Sequence, residues 1–297
     1  MGTLNLRSEI REFLSTRRAR ISPEQAGLPA YGGNRRVKGL RREEVAMLAG
    51  VSVDYYVRME RGSLAGASES VLDSLSSALQ LDEAEREHLF ALARESQNSA
   101  GRRRRSGANT VRPALQQILD ALTDAPAWIR NRRHDLLAMN QLARALYSPI
   151  LVDPRRPPNT TRFIYLHPDA AAQFFVDYDQ VTRDAAAMLR LEAGRNPYDE
   201  GMIALIGELS TRSELFRQRW ASQDVRLHRS GQKRLRHPVV GELDLNFEVM
   251  ELPSEPDLQL NVYTAPPGSP AADSLKLLAS WAANQEGVPS EHISADD

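Results

Sequence analysis

Apolar residues recur at helical spacing five times within the first 95 residues. Ile10, Phe13 and Leu14 form one such set, and Val71, Leu72 and several later positions form another. Helices are predicted over residues 6–20, 42–49, 52–62, 68–79 and 82–93, with a Pro/Gly-rich loop at 22–39. Because a helix pair alone cannot bury its own core, we expect an all-α five-helix bundle.

The second and third predicted helices are separated by only a tight turn. Gly50 ends the second helix, since glycine takes a left-handed cap at little cost. Ser52 is a good N-cap for the third helix, which ends at Gly62. Tyr56 and Met59 fall three positions apart and should face the bundle. This arrangement is typical of a helix-turn-helix.

From residue 110 the pattern changes to a mixture of helices and strands. Helices are predicted at 113–122, 140–147, 170–192, 200–209, 213–220 and 271–284, with a Pro-rich loop to residue 158. Strands are predicted at 127–130, 136–139, 225–229, 233–237, 242–250 and 258–265. Two strands, a block of helices and then an antiparallel set of strands make an α+β domain in the order of PAS-like sensor domains.

The composition between these regions predicts the domain boundaries. Residues 96–109 are polar and contain four consecutive arginines at 102–105. We expect a helix-turn-helix domain at 1–95, a basic flexible linker at 96–111, a PAS-like domain at 112–286 and a disordered tail at 287–297. Whether the arginine run contacts DNA phosphates or is simply solvated stays open.

Composition excludes several classes of protein. The 297 residues include no cysteine, which rules out disulfides, thiolate zinc sites and cysteine nucleophiles. No apolar run approaches the roughly 18 residues of a membrane span, and the charged start is not a signal peptide. We therefore expect a cytoplasmic protein without a membrane partner.

The small net charge hides an asymmetry along the chain. Residues 1–110 contain 18 Lys and Arg against 14 Asp and Glu, and the remainder contains 20 against 25. A basic front half suggests a polyanionic partner, although ordinary surface variation would also produce so small an excess.

The third helix has the chemistry of a recognition helix. Arg58 could contact guanine in bidentate fashion, Asp54 could accept from cytosine N4, and Val53 could contact a thymine methyl group. Alternatively, Arg58 binds only phosphate or is solvated, and Asp54 supports its own helix terminus. The exposed DNA-contacting positions are predicted to be Ser52, Val53, Asp54, Tyr55 and Arg58.

Basic residues nearby are candidates for phosphate contact. Arg42 opens the second helix, where backbone N–H groups and the helix dipole favour an anion. The other predicted phosphate-binding residues are Arg41, Arg36 and Lys38, of which the loop residues have solvation as the alternative. Glu60 should face inward, and a buried carboxylate needs a partner, for which Arg18 is the candidate.

The run GLRREEVAMLAGVSVDYYVRMERG resembles the helix-turn-helix of Xre-type repressors, and in particular their MmyB-like branch, in which adjacent tyrosines precede RxERG. The resemblance extends to PAWIRNRRHDLLAMN at 126–140, FRQRW at 216–220 and the segment 237–270. It implies a DNA-binding regulator whose PAS-like domain holds a small fatty-acid-like ligand and mediates dimers. Ser222 and Gln223 depart from the pattern where a His or Asp is expected, which weakens the transfer of polar contacts there.

Pattern and resemblance together suggest residues for the ligand pocket. Its predicted apolar or amphipathic lining is Trp128, Phe174, Tyr178, Leu189, Phe216, Trp220, Phe247 and Val262. Its predicted polar anchors are Asn131, Asn140 and Arg190. The alternatives are that the aromatic residues are ordinary core, that Asn140 caps a helix and that Arg190 is a surface or paired arginine.

No enzymatic motif is present. The chain has no GxxxxGK[ST], HExxH or GxSxG pattern, so we expect no catalytic residues, metal site or cofactor beyond a bound fatty acid or similar apolar ligand. The sequence predicts a homodimeric, sequence-specific transcription regulator that binds double-stranded DNA and a small apolar ligand. The alternatives are a protein-interaction module on a helix-turn-helix scaffold without ligand sensing, and an enzyme with an appended DNA module.

Overall fold

The fold is described from a computed structural model, which covers residues 5–28, 37, 39–97 and 110–286. Several predictions lie outside these residues. They are the proposed phosphate contacts of Arg36 and Lys38, most of the basic linker with its arginines at 102–105, and the tail at 287–297.

Five helices form in the first part of the chain, close to where the sequence predicts them. They are α1 Leu6–Arg20, α2 Arg42–Leu48, α3 Val53–Glu60, α4 Glu69–Ala78 and α5 Glu83–Gln97. Polar caps start them as expected: Asp82 Oδ1 accepts the backbone N–H of Glu85 at 2.8 Å, and the Glu85 carboxylate accepts the backbone N–H of Asp82 at 3.2 Å.

Nine further helices are described after residue 110. They are α6 Pro113–Ala121, α7 Gln141–Leu146, α8 Ser148–Leu151, α9 Thr160–Leu166, α10 Pro168–Phe174, α11 Tyr178–Arg195, α12 Glu200–Arg212, α13 Glu214–Ala221 and α14 Pro270–Glu286. The Pro-rich loop predicted to run to residue 158 is wrong at Ser148–Leu151, where the chain forms α8. The prediction of a single helix at 170–192 is also wrong, because the helix is interrupted between α10 and α11. There Phe175 bridges Leu235, and the Val176 N–H donates to Arg234 O at 3.2 Å.

The strands form one antiparallel sheet, which confirms the predicted α+β, PAS-like class. The strands are β1 Ala127–Asn131, β2 Leu136–Met139, β3 Ser230–His237, β4 Gly241–Glu251 and β5 Leu258–Thr264, in the order β2-β1-β5-β4-β3. The strand predicted at 225–229 is wrong. Val225 and Leu227 alternate because they pack against helices of the first part of the chain, and no strand of the described residues pairs with them.

Contacts divide the chain into two compact units. The first contains Met1–Gly107 and Thr182–Leu227, and the second contains Ala108–Val181 and His228–Asp297. The predicted domain boundaries stay predictions, but this division groups α12, α13 and most of α11 with the five-helix bundle. Leu191 and Val225 belong to the same buried cluster as Phe13 and Met59 of that bundle.

In the second unit, the two faces of the sheet differ. Leu115 and Leu119 of α6 pack against Ala127, Ile129 and Leu258 on one face. Since side chains alternate along a strand, the residues between these point to the opposite face. We call that opposite face the aromatic face, and its residues on β1 and β5 are Trp128, Arg130, Gln259, Asn261 and Tyr263.

Candidate functional site

The turn between α2 and α3 has the geometry of a helix-turn-helix. Gly50 has φ +65°, and the Val51 N–H donates to Ala46 O at 2.9 Å across it. Ser52 Oγ accepts the Tyr55 N–H at 3.2 Å and caps α3. Gly62 ends the segment with φ +98°, where a side chain would collide with the backbone of Arg7. The local predictions of caps and turns are therefore confirmed.

The α3 helix divides cleanly into a buried and an exposed side. Tyr56 and Met59 are fully buried, as expected. The Arg58 guanidinium lies 4.8 Å from the centre of the Tyr55 ring. The predicted base-contacting residues that are exposed are Ser52, Val53, Asp54 and Arg58, while Tyr55 is half-buried. Their individual roles on DNA stay predictions.

A buried acid holds this surface together. The Glu60 side chain is 2 % exposed and accepts from Arg18 Nε at 2.6 Å, which confirms the predicted pair. Arg42 Nε donates to the other Glu60 oxygen, a contact that the sequence did not indicate. Hydrogen bonding and charge from Glu60 raise the pKa of Arg42, while burial and the Glu60 charge raise that of Tyr56. Arg42 remains half exposed while this contact anchors it.

The neighbouring basic residue is differently placed. Arg41 is exposed, and its backbone N–H donates to the Glu44 carboxylate at 2.6 Å, which fixes the start of α2. Arg41 and Arg42 thus flank the entrance to the turn, and their contact with phosphate stays a prediction.

Three of the predicted pocket residues lie in one buried aromatic cluster of the second unit. They are Trp128, Phe174 and Phe247. The Trp128 ring lies 4.7 Å from both the Tyr147 and the Tyr263 rings, measured between centroids. Phe174 is 6.0 Å from Tyr147, and Phe247 is 6.3 Å from Tyr263. The sequence predicts neither tyrosine. It predicts Val262, which is next to Tyr263 on β5, but adjacent residues of a strand point to opposite faces of the sheet.

These tyrosines form a buried polar pair inside the cluster. The Tyr147 and Tyr263 hydroxyl oxygens are 2.9 Å apart. Burial raises the pKa of Tyr147 well above its ordinary value and that of Tyr263 to about 12. Both phenols therefore stay protonated at neutral pH, and one donates its hydrogen bond to the other.

The predicted amide anchors already serve the fold. Asn140 Oδ1 accepts the Ala143 N–H at 2.8 Å, so the alternative that it caps α7 is confirmed. Its Nδ2 also donates to Leu122 O and Ala125 O. Asn131 donates to Asp135 at 2.8 Å and shapes the turn after β1. Tyr178 is half-buried and donates to Ile164 O at 2.9 Å.

Four other predicted pocket residues, Leu189, Arg190, Phe216 and Trp220, belong to the first unit. The prediction of Val262 is wrong in a different way, because Val262 packs on the α6 side of the sheet. Arg190 is 1 % exposed, lies 3.9 Å from the Trp220 ring centre and donates to Trp220 O at 2.6 Å. It also pairs with Glu9 of α1, so the alternative of a paired arginine is confirmed. Phe216 stacks on Trp220 at 5.4 Å.

Comparison with protein families matches both parts of this geometry. Residues 10–89 match a model described as a helix-turn-helix domain. Residues 111–278, more than half of the chain, match the MmyB-like transcription regulator ligand binding domain. The chain belongs to the MmyB-like transcription regulators. No curated protein matches it.

Membership in the MmyB-like family gives the two parts their roles. The helix-turn-helix is a DNA-binding domain, and the second part is a ligand-binding domain of a transcription regulator. The ligand-binding match spans α11, α12 and α13, and most of α11 with all of α12 and α13 falls in the first unit. Arg190 and Arg195 of α11 pair there with Glu9 of α1 and Glu87 of α5. Within the described residues, no helix is long and apolar enough to span a bilayer, and no acidic or histidine cluster could hold a metal ion.

Proposed function

We propose that this MmyB-like regulator binds a pseudo-palindromic operator as a homodimer and responds to a small, fatty-acid-like ligand. In this proposal it acts in the cytoplasm and catalyses no reaction. One observation supports this proposal most strongly. In the first unit, the helix-turn-helix, with its exposed polar α3 edge, shares a hydrophobic core with Leu191 and Val225 of the ligand-binding match.

The DNA-binding step relies on the exposed edge of α3. Arg58 and Asp54 carry the donors and acceptors that major-groove base edges can distinguish, and Val53, 42 % exposed, offers an apolar contact for a thymine methyl group. Arg41 and Arg42 supply positive charge to phosphates beside them. Arg42 is held in place by Glu60, so less side-chain entropy is lost when it contacts phosphate.

The sensing step relies on α11 and its neighbours. Arg190 of α11 pairs with Glu9 of α1, and Arg17 of α1 donates to Gln223 O just after α13. A ligand that displaces α11 would therefore move the helix against which the helix-turn-helix packs. Such a ligand changes operator affinity only if it favours one arrangement over the other.

Salt-dependent binding to DNA tests the first part of this proposal. Duplexes selected from a random pool should bind more tightly than scrambled ones, and affinity should fall steeply as salt rises because phosphate contacts release counterions. Absent or salt-independent duplex binding would contradict the regulator and favour the protein-interaction alternative.

Native mass spectrometry of the purified protein tests the second part. A lipid-like mass that co-purifies with the chain and leaves on delipidation supports the apolar ligand. If no such mass is found and dodecanoic acid does not bind to the delipidated protein, the sensor proposal is contradicted.

A further inference from the structure

The contact between Arg58 and Tyr55 on α3 differs from other arginine–ring contacts of the first unit. The Arg58 guanidinium lies 4.8 Å from the Tyr55 ring centre, and within the described residues it makes no hydrogen bond or ion pair. Three other arginines of this unit also lie over aromatic rings, but each of them pairs with an acid as well. They are Arg17 with Glu85, Arg86 with Asp73 and Arg190 with Glu9. Arg58 is therefore held at a ring while its N–H donors remain unused.

A guanidinium has two kinds of surface, which bind different partners. Its flat face is attracted to the face of an aromatic ring, whereas its five N–H donors lie in its plane. Bidentate recognition of guanine O6 and N7 uses two of these in-plane donors. An ion pair competes for the same donors, as the Glu60 carboxylate does at Arg42. Contact with a ring therefore restrains an arginine and leaves its donors available to a base.

The Tyr55 ring is itself held by the fold. Tyr55 is half-buried and packs against the hydrophobic cluster of the bundle. Its backbone N–H donates to Ser52 Oγ at 3.2 Å in the N-cap of α3. Tyr55 precedes Arg58 by three residues, so the two side chains are neighbours on the helix surface. The Tyr55 hydroxyl makes no hydrogen bond in the part of the chain that the structure describes, so the ring is what supports Arg58.

We propose that Tyr55 is a positioning residue, whose ring holds the Arg58 guanidinium in the orientation in which it meets a guanine edge. This inference rests on the proposed function, since it assumes that α3 reads base pairs through Arg58. It goes further by giving Tyr55, which the sequence predicts as a DNA contact, a role exerted through Arg58. Without the ring, Arg58 would lose more rotamer freedom on binding the correct base, so it would discriminate less between base pairs.

Competition binding with the selected operator and its singly substituted duplexes tests the proposal. Arg58→Ala first identifies the base pair whose discrimination depends on Arg58. Tyr55→Leu keeps an apolar side chain but removes the ring, and should reduce discrimination at that same base pair by about three- to tenfold. Tyr55→Phe keeps the ring, so its discrimination should stay within about twofold of the wild-type value.

Two further readouts separate positioning from structural support. When Arg58→Ala is already present, Tyr55→Leu should change discrimination at this base pair by less than about twofold, because no guanidinium is left to hold. The salt dependence of affinity should be the same in Tyr55→Leu and the wild-type protein, since no phosphate contact is lost. Each discrimination is a ratio of two affinities from one preparation, so a change in the folded fraction cancels.

Phe90→Leu is the matched control on α5. It removes a ring that lies 4.5 Å from the Arg86 guanidinium, away from α3, and should keep the full discrimination. If Tyr55→Leu does not fold, Tyr55→Met takes its place, because a flexible thioether side chain fills the space without a ring.

The outcomes separate this inference from the proposed function. The positioning role is overturned by undiminished discrimination in Tyr55→Leu, by an equal loss in Tyr55→Phe or Phe90→Leu, by a loss that persists beside Arg58→Ala, or by a changed salt dependence. Operator binding by the wild-type protein would still support the regulator in each of these cases. If the wild-type protein shows no preference among the duplexes, or Arg58→Ala alters no base pair, the base-reading proposal falls and this inference falls with it.

Discussion

At the scale of single residues, buried charges organise the regulator. Behind the recognition helix, the Glu60 carboxylate accepts hydrogen bonds from two arginines and a tyrosine hydroxyl. The Glu9 carboxylate forms a salt bridge with Arg190 and lies 3.7 Å from His88 Nε2. Both acids are in the first unit, and both join segments that are distant in the sequence. Each is a point at which one substitution leaves a buried cation without its partner.

Glu60→Gln should destabilise the protein by about 3 kcal/mol, because it leaves Arg18 with a neutral partner in a part-buried site. Urea unfolding of the variant measures this loss. Glu43→Gln, at an exposed position in the first turn of α2, is the matched control and should cost less than about 0.5 kcal/mol. Equal losses in both variants would refute the central role of Glu60.

Arg58→Ala and Arg42→Ala should affect DNA binding differently. Loss of Arg58 should relax discrimination at one base pair by about 1–3 kcal/mol. Loss of Arg42 should weaken all duplexes similarly and reduce the salt slope by about one. Competition binding with a set of singly substituted duplexes distinguishes these patterns, and indistinguishable effects would contradict the division into base and phosphate contacts. Melting curves show whether Arg42→Ala also loosens the Glu60 contacts.

The Glu9 cluster predicts a loss of stability in acid. Burial alone would raise the pKa of Glu9, but its contacts with His88 and Arg190 outweigh burial and hold the pKa at about 2, against an ordinary 4.5. Because the folded-state pKa is depressed, Glu9 stabilises the protein above its unfolded pKa, and this contribution is lost as pH falls from about 4.5 towards 2.

Unfolding measured between neutral pH and pH 2 should therefore be less pH-dependent in Glu9→Gln than in the wild-type protein. Glu69→Gln, at an exposed position in the first turn of α4, should keep the wild-type dependence. A Glu9→Gln curve parallel to that of the wild type would show that Glu9 does not contribute to acid unfolding.

At the scale of elements, local signals in the sequence predicted more than tertiary contacts did. The ends of helices in the bundle could be predicted because caps and turns depend on neighbouring residues, as at Gly50, Ser52 and the Asp82–Glu85 capping box. The α10–α11 break was missed because Phe175 pairs with a residue that is distant in the sequence. The segment 225–229 alternates like a strand, yet it packs on helices.

The candidate sites follow the same division. Exposure along α3 could be predicted from helical spacing alone. The grouping of Trp128 with Tyr147 and Tyr263 could not, since it depends on the β1–β5 register and on where α7 packs. The sequence predicts Arg190 as a polar anchor of the pocket or as a paired arginine, and only the fold shows that its partner is Glu9, 181 residues earlier.

Gly194 makes a testable contact within α11. A Cβ at this position would overlap the ring of His88, which is fully buried and packs edge-on against Phe13 at 4.9 Å. Gly194→Ala should therefore destabilise the protein by about 1–3 kcal/mol, although alanine is the better helix former. Thermal unfolding measures the change.

Gly207→Ala in α12 is the matched control, because beyond its own stretch of helix no atom of the described residues lies within 4 Å of the added Cβ. It should stabilise the protein by up to about 1 kcal/mol. The reverse order of stability, with Gly194→Ala above Gly207→Ala, would show that α11 does not pack closely on α5.

At the scale of the whole molecule, the first unit brings together both halves of the regulator. The helix-turn-helix match and the ligand-binding match are separate in sequence, yet Leu191 and Val225 of the second share a core with the first. A change in α11 is therefore felt by α1 through packed side chains and through the Arg190–Glu9 pair. Ligand binding and DNA binding should therefore be thermodynamically linked.

The most direct test is the affinity of the whole chain for its selected operator duplex, measured by fluorescence anisotropy with and without saturating dodecanoic acid at one salt concentration. Bound acid should change the dissociation constant by at least about fivefold. An unchanged dissociation constant, with the acid shown by calorimetry to be bound, would contradict ligand-responsive DNA binding.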